Sequence, residues 1–328
     1  MSWTTRCIRP FLTVAAGAIV FVSAAAAQSD FPTRPVRLII PYAAGGPTDI
    51  LGRVVAQKLG EQLGQSVVSE NRPGAAGIIG TDQVAKAVSD GYTLLFTAMG
   101  TLVMNPLLYS KLPYDTKRDF EPVSSIASYS MFLAVNPKLP IANIPELIAF
   151  AKKNPEKLTF GSAGNGTSNH LAAELLKYLA GIEAVHIPYK GNAAALLDVV
   201  TGQISFMFDL PANTLPQSKA GKIRLIGTTG NQRSPLAPEV PTIAEGGLPE
   251  YNVTAWFGVF APAGTPKPII QQINRAIRQA LAAPEVKDKL LAQGYEVAAS
   301  TPEQLAEMIK TETSLWSAVI KKAGIKLD

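Results

Sequence analysis

The chain has one cysteine, Cys7, and two histidines, His170 and His186, in 328 residues. A single thiol closes no internal disulfide and offers no cysteine cluster to zinc. There is no H-E-x-x-H pair either, so no metal site is expected and no cofactor is implied. Charge of one sign is also scarce. The 30 Lys+Arg against 25 Asp+Glu give a net +5. No run of Lys or Arg builds a basic face, which argues against a nucleic-acid partner. Beyond residue 27 no stretch reaches 18 unbroken apolar residues, so no membrane span is expected in the mature chain. Neither a short repeat nor a low-complexity segment appears. Without staple or metal, the chain must be held by its own core. Its length suits that and suggests about two domains.

The N-terminus has the layout of a secretory leader. Arg6 and Arg9 precede an apolar, alanine-rich stretch over 11–27 that ends in Ala25-Ala26-Ala27. That stretch is short and weakly apolar for a span, and its end fits an A-x-A cleavage site after Ala27. The expected mature protein starts near Gln28. It has no thiol, and loss of the two arginines lowers its net charge to +3.

Short apolar strands alternate with helical patterns. Strands are expected at 36–40, 66–70 and 91–97. A helix whose apolar stripe is Ile50, Leu51, Val54, Val55, Leu59 and Leu63 follows the first, and another over 77–88 follows the second. This β-α-β-α-β order implies a parallel sheet with crossover helices. The order repeats, with strands at 131–135, 158–160, 184–189, 204–208 and 223–228. Helices at 145–153, 168–179, 193–200 and 212–220 lie between them. A strand at 251–260 is followed by helices at 268–282, 284–293 and 302–322. A helical tail builds no third sheet, so it is expected to pack back on the first half. That requires two crossovers, near 126–132 and 250–256, and hence two α/β lobes joined by a hinge around a cleft.

Two loops suit a ligand. Pro41-Tyr42-Ala43-Ala44-Gly45-Gly46-Pro47-Thr48-Asp49 joins a strand end to a helix start. Gly45 and Gly46 allow close backbone approach, and Thr48 or Asp49 could cap the helix. Its free N–H groups and dipole favour a carboxylate or phosphate. It is not a P-loop, since no G-K-[ST] follows. An ordinary capped turn would use the same residues. Gly161-Ser162-Ala163-Gly164-Asn165-Gly166-Thr167-Ser168-Asn169-His170 repeats the arrangement in the second lobe. Open α/β sheets bind ligands at this edge. A nucleophile built from Ser162 or Ser168 with His170 is not supported. G-x-S-x-G is absent, and Ser168 is too near His170 in sequence for a triad. His170 suits a structural hydrogen bond, and His186 a packed or half-exposed strand position. Asp209 ends an apolar strand and could cap the helix after it or accept from a ligand. Thr97-Ala98-Met99-Gly100 ends another strand with room for a ligand. Lys190 could pair with an acid or be solvated. No enzyme activity is expected.

Taken together, the motifs resemble the substrate-binding proteins of tripartite tricarboxylate transporters, the Bug (Bordetella uptake gene) family. The marks are PTRPVRLIIPYAAGGPTD at 32–49, ENRPGAAGIIG at 70–80, DGYTLLFT at 90–97, GSAGNGTSNHLAAELL at 161–176, HIPYKG at 186–191 and APAGTP at 261–266. The resemblance covers nearly the whole mature chain. It implies a type II periplasmic-binding-protein-like fold of two α/β lobes. Lobe 1 would be discontinuous, 28–129 and 254–328, with lobe 2 at 130–253. It also implies a periplasmic monomer that binds a small organic acid for membrane transporter subunits of the tripartite tricarboxylate type. A ligand-sensing role on the same fold is the alternative. Carried over by motif, Tyr42, Gly45, Thr48 and Asp49 belong to the first binding loop. Ala98, Met99 and Gly100 belong to the adjacent strand end, Gly166, Thr167 and His170 to the second loop, and Asp209 to the strand end facing it. Family members bind chiefly through main-chain amides and hydroxyls, and neither loop here contains Arg or Lys.

Overall fold

A computed structural model describes residues 1–3, 31–154, 157–189, 191–297 and 299–323. The leader, Cys7 and Lys190 fall outside the described residues. The first sheet begins with β1 (Val36–Ile40), α1 (Pro47–Leu63), β2 (Val67–Asn71), α2 (Ile78–Ala85) and β3 (Thr93–Ala98). A wide helical turn, Gly100–Met104, runs into α3 (Asn105–Leu108), and α4 (Thr116–Asp119) leads to β4 (Phe120–Tyr129). The chain then enters a second sheet. Its elements are β5 (Phe132–Val135), α5 (Ile144–Lys153), β6 (Thr159–Ser162), α6 (Ser168–Ala180), β7 (Val185–Pro188), α7 (Asn192–Thr201), β8 (Phe206–Asp209), α8 (Pro211–Lys219) and β9 (Arg224–Thr228). It returns through β10 (Ala255–Pro262) to α9 (Lys267–Ala282), α10 (Pro284–Leu291), β11 (Glu296–Val297) and α11 (Pro302–Ala323).

The two sheets share one plan. The first runs β11-β4-β10-β3-β1-β2 and the second β7-β6-β8-β5-β9. In each, two crossover units give three parallel strands, β2-β1-β3 and β7-β6-β8. One antiparallel strand then intervenes, β10 or β5, before the last major strand. That intruding strand is always the one arriving from the other half. Each lobe is therefore completed by the chain's own crossover; the first runs directly from Tyr129 to Phe132, and the second enters β10 at Ala255 after the segment 229–254 that follows β9.

Local chemistry explains most element ends. Pro47 opens α1, where a missing N–H costs nothing, and Gly64 closes it in the left-handed region. Asn143 caps α5 by accepting from the Glu146 amide at 2.9 Å, and Glu146 accepts in return from the Ala142 amide. In α9 the stripe Ile269, Ile270, Ile273, Ile277 and Leu281 is buried.

β4 is the element the periodicity does not reveal. Its run Phe-Glu-Pro-Val-Ser-Ser-Ile-Ala-Ser-Tyr holds a proline and three serines, a pattern that argues against an interior strand. Pro122 sits opposite Phe260, where the β10–β4 register shifts. The buried serines are satisfied from far along the chain: Ser124 Oγ donates to Ser300 O at 3.0 Å. Asn274 Nδ2 donates to Val123 O at 2.8 Å and to Ser300 O at 2.7 Å.

The tail packs on the first sheet, as expected, and also beyond it. α11 lies on β4 and α3 and touches α6 of the second sheet. Trp316 and Ile320 of α11 join Phe160, Leu171 and Leu175 in one buried apolar cluster. Among the described residues no helix is long and apolar enough to cross a membrane.

Candidate functional site

A cleft of about 270 Å³ opens where the ends of β1 and β3 face the ends of β6 and β8. The first sheet contributes Tyr42, Pro47 and Thr48 after β1, Ala76 before α2, and Ala98, Gly100 and Asn105 after β3. Tyr129, Met131 and Phe257 stand at the crossovers. The second sheet contributes Ala163, Asn165, Gly166, Thr167, Ser168 and Asn169, then Asn192 and Leu210. No Lys, Arg, Asp or Glu is among these lining residues.

The first loop is braced from behind. Gly45 has φ +81°, which suits glycine. The N-cap is Gly46, without a side-chain cap. Neither Thr48 nor Asp49 caps from that position. Asp49, inside the first turn and buried, reaches back instead to accept from the Gly45 amide at 2.8 Å. It also accepts from Asn71 Nδ2 at 2.9 Å and Arg53 Nε at 3.0 Å. Asn71 donates as well to Tyr42 O. Burial pushes the Asp49 carboxyl up, but Arg53, the Gly45 amide and Asn71 outweigh it and hold it below the usual range. The amides of Thr48 and Asp49 belong to the first helical turn and have no turn before them to bond. Thr48 itself lines the cleft.

The second loop is held by a side-chain network. Thr167 Oγ1 lies 2.6 Å from both Gly164 O and Asn169 Oδ1. Asn169 Oδ1 also accepts from the His170 amide at 3.1 Å, and Asn169 Nδ2 donates to Asn192 Oδ1 at 3.3 Å. Asn192 Nδ2 donates to the Asp209 carboxylate. Asp209 is fully buried and accepts in addition from the Leu210 amide at 2.7 Å and from Asn213 Nδ2 at 3.0 Å. Burial raises its carboxyl to about 6 against these hydrogen bonds. Asp209 thus anchors the Asn192 amide that faces the cleft, and it does not cap α8, whose N-cap is Leu210.

Both histidines sit behind this loop. The Gly166 amide donates to His170 Nδ1 at 3.1 Å. The His170 and His186 rings stack at 4.0 Å, with Phe160 against both. Burial lowers His170 to about 3, helped by His186 and Lys177, and lowers His186 to about 4. A neutral ring is what Nδ1 needs in order to accept. Ser162 pairs with His186 Nε2 at 2.7 Å rather than with His170, and is fully buried.

Of the residues singled out from sequence, Tyr42, Thr48, Ala98, Gly100, Gly166 and Thr167 line the cleft. Gly45, Asp49, His170 and Asp209 stand behind the lining and hold it in shape. Met99 is buried in the apolar cluster under the first sheet. Sequence reasoning did not single out Asn105, Asn192, Tyr129 or Phe257. Asn192 could have been found, because it opens a helix after a strand and a glycine, the signal used for the two main loops. Tyr129 reaches across the crossing, with its phenol 3.4 Å from Ser168 Oγ and its ring stacked 5.3 Å from Phe257.

A third loop also went unmarked as a contact. Gly74-Ala75-Ala76-Gly77 runs through φ +133°, +46°, +53° and +86°. A left-handed residue that carries a Cβ costs about 1–2 kcal/mol. Such strain gathers at sites where the surroundings over-determine the backbone.

Comparison with known proteins agrees with the two-lobed α/β fold. The model of the family described as "Tripartite tricarboxylate transporter family receptor" matches residues 51–325. The UPF0065 protein in the tcbD-tcbE intergenic region of Pseudomonas sp. (strain P51) is 42% identical over 291 residues, 88% of this chain and 86% of its own. BugT of Bordetella pertussis is 36% identical, over 93% of this chain and 94% of its own. Among solved structures, an R. palustris protein with adipate superposes at a TM-score of 0.83 and 37% identity, covering 90% of this chain and 99% of that one. MatC from Rhodopseudomonas palustris with bound malate gives 0.78 and 33%, covering 88% and 100%.

Proposed function

The chain belongs to the tripartite tricarboxylate transporter receptor family, and on that footing we propose that it captures a small carboxylated molecule between its two lobes and delivers it unchanged to membrane transporter subunits. The observation that carries this is the cleft itself. Two helix N-termini, those of α1 and α6, face it with Gly-rich approaches, and among the described residues no charged side chain lines it. Main-chain N–H groups and neutral hydroxyls and amides therefore hold the acid. A charge-assisted hydrogen bond contributes roughly 1.5–3 kcal/mol, so several suffice without a basic clamp.

Tyr42, Thr48, Ala98, Gly100, Gly166 and Thr167 are the proposed contacts. Gly45, Asp49, His170 and Asp209 keep them in place. The leader is removed near Ala27, and the mature protein is a periplasmic monomer. The lobes are 28–129 with 254–328, and 130–253. They close about the two crossings. Solved relatives with adipate and malate make linear dicarboxylates the first ligands to try.

Thermal-shift screening of the mature protein against organic acids tests the proposal. An acid present at 100 times its Kd adds roughly 2.7 kcal/mol of stability, a visible shift. If no carboxylate raises the melting temperature while another solute class does, the carboxylate assignment is wrong.

A further inference from the structure

The motif ENRPGAAGIIG contributes a wall to the cleft that neither Gly-rich loop supplies. Three of its glycines fall at positions 74, 77 and 80, and at Gly77 and Gly80 a Cβ has no room. A Cβ on Gly77 would lie 2.6 Å from Thr101 Cγ2, and one on Gly80 would lie 2.6 Å from Arg72 O and 2.9 Å from Pro41 Cα. On Gly74 it would meet Ile79 Cδ1 at 2.5 Å. The turn is thereby clamped against the start of the first loop and the helical turn after β3. Asn105, itself in the cleft lining, donates from Nδ2 to Ala76 O at 3.2 Å and ties the turn to that wall.

Between these glycines stand two alanines in the left-handed region, where glycine would relax the backbone. Both are exposed, but only Ala76 lines the cleft. We propose that Ala76 is a specificity-determining residue. The clamped left-handed turn holds it as the wall at the first lobe's end of the cleft, and it limits the bulk of the bound acid there. This inference rests on the carboxylate-binding reading given above. Ala75 shares the strain without sharing the wall, which makes it the internal control.

The test uses Ala75→Gly, Ala76→Gly and Ala76→Asn in the full mature chain, with calorimetry against the straight-chain dicarboxylates from succinate to suberate and against benzoate. Asn tolerates the left-handed region and adds bulk. Both Gly variants relax the turn and should melt higher than wild type. Ala76→Gly should shift the ratio of dissociation constants toward bulkier acids by about fourfold, the effect of one methyl-sized contact. Ala76→Asn should weaken the preferred acid by more than that. Ala75→Gly should melt higher but leave the ratio of dissociation constants and the affinity for the preferred acid as in wild type. If wild type binds an acid and the Ala76 variants bind the panel unchanged, the wall assignment is overturned while the carboxylate reading stands. If Ala75→Gly moves selectivity as far as Ala76→Gly, release of strain rather than a wall is the cause, and the assignment is again overturned. If wild type binds none of the panel, the wall assignment falls for these acids, and the carboxylate reading falls with it only if the wider thermal-shift screen also finds no acid.

Discussion

Acid should loosen the second binding loop through His170, and the size of the effect follows from its surroundings. The ring is buried, stacked on His186, and accepts the Gly166 amide at Nδ1. It stays neutral in the folded protein down to about pH 3, whereas in the unfolded chain it titrates near its ordinary value of about 6.5. The unfolded state therefore binds the proton first. Stability from this group is fully present above about 6.5 and is lost as pH falls from there toward about 3. Each pH unit in that window costs about 1.4 kcal/mol, so at pH 5 the loss reaches about 2 kcal/mol. His186, lowered to about 4, adds loss of the same sign. Asp209 acts oppositely. Raised to about 6, it gains a proton in the folded state as pH falls below 6, and this offsets about 1.4 kcal/mol at pH 5. Comparing wild type with His170→Asn cancels the Asp209 contribution. Asn keeps an acceptor near the Nδ1 position and does not titrate. Urea unfolding at pH 7.5 and pH 5.0 should show wild type losing about 2 kcal/mol more than the variant over that interval. Equal losses would refute the reasoning. So would a His170 ring that titrates near pH 6 by NMR in the folded protein.

Two further substitutions bear on the loops. Thr167→Ala removes a hydroxyl within 2.6 Å of both Gly164 O and Asn169 Oδ1, and should weaken acid binding about tenfold by calorimetry if one hydrogen bond's worth of order is lost; Thr167→Ser should restore it. Gly45→Ala meets no atom within 4 Å, so its penalty is the left-handed backbone alone. That is about 1–2 kcal/mol in denaturant unfolding, and no loss would show that the loop can rearrange.

The fold was legible where the signals are local. Strand runs such as Val36–Ile40, proline at helix starts, and Gly-rich strand-to-helix turns are each decided within a few residues. The repeated order and the helical tail were enough to call for two crossovers. The candidate cleft was legible to the same depth. Both Gly-rich loops reach the cleft because a helix start at a sheet edge is exposed by construction.

What sequence alone determined is the composition of the two loops and the alternation that builds two parallel-stranded units. Only the tertiary structure decided which residues stand in front and which behind. Asp49 and Asp209 look like ligand groups in a linear chain, but each is drawn inward by a donor brought from another element, Asn71 and Asn192 respectively, while His170 is held locally by the Gly166 amide four residues before it. β4 was invisible because its serines and proline are poor strand formers until Ser300, Asn274 and a register shift against β10 satisfy them. The intruding antiparallel strands, β5 and β10, follow from the same cause. A strand's partner is set by long-range hydrogen bonding and burial, and no local pattern encodes which sheet supplies the open edge.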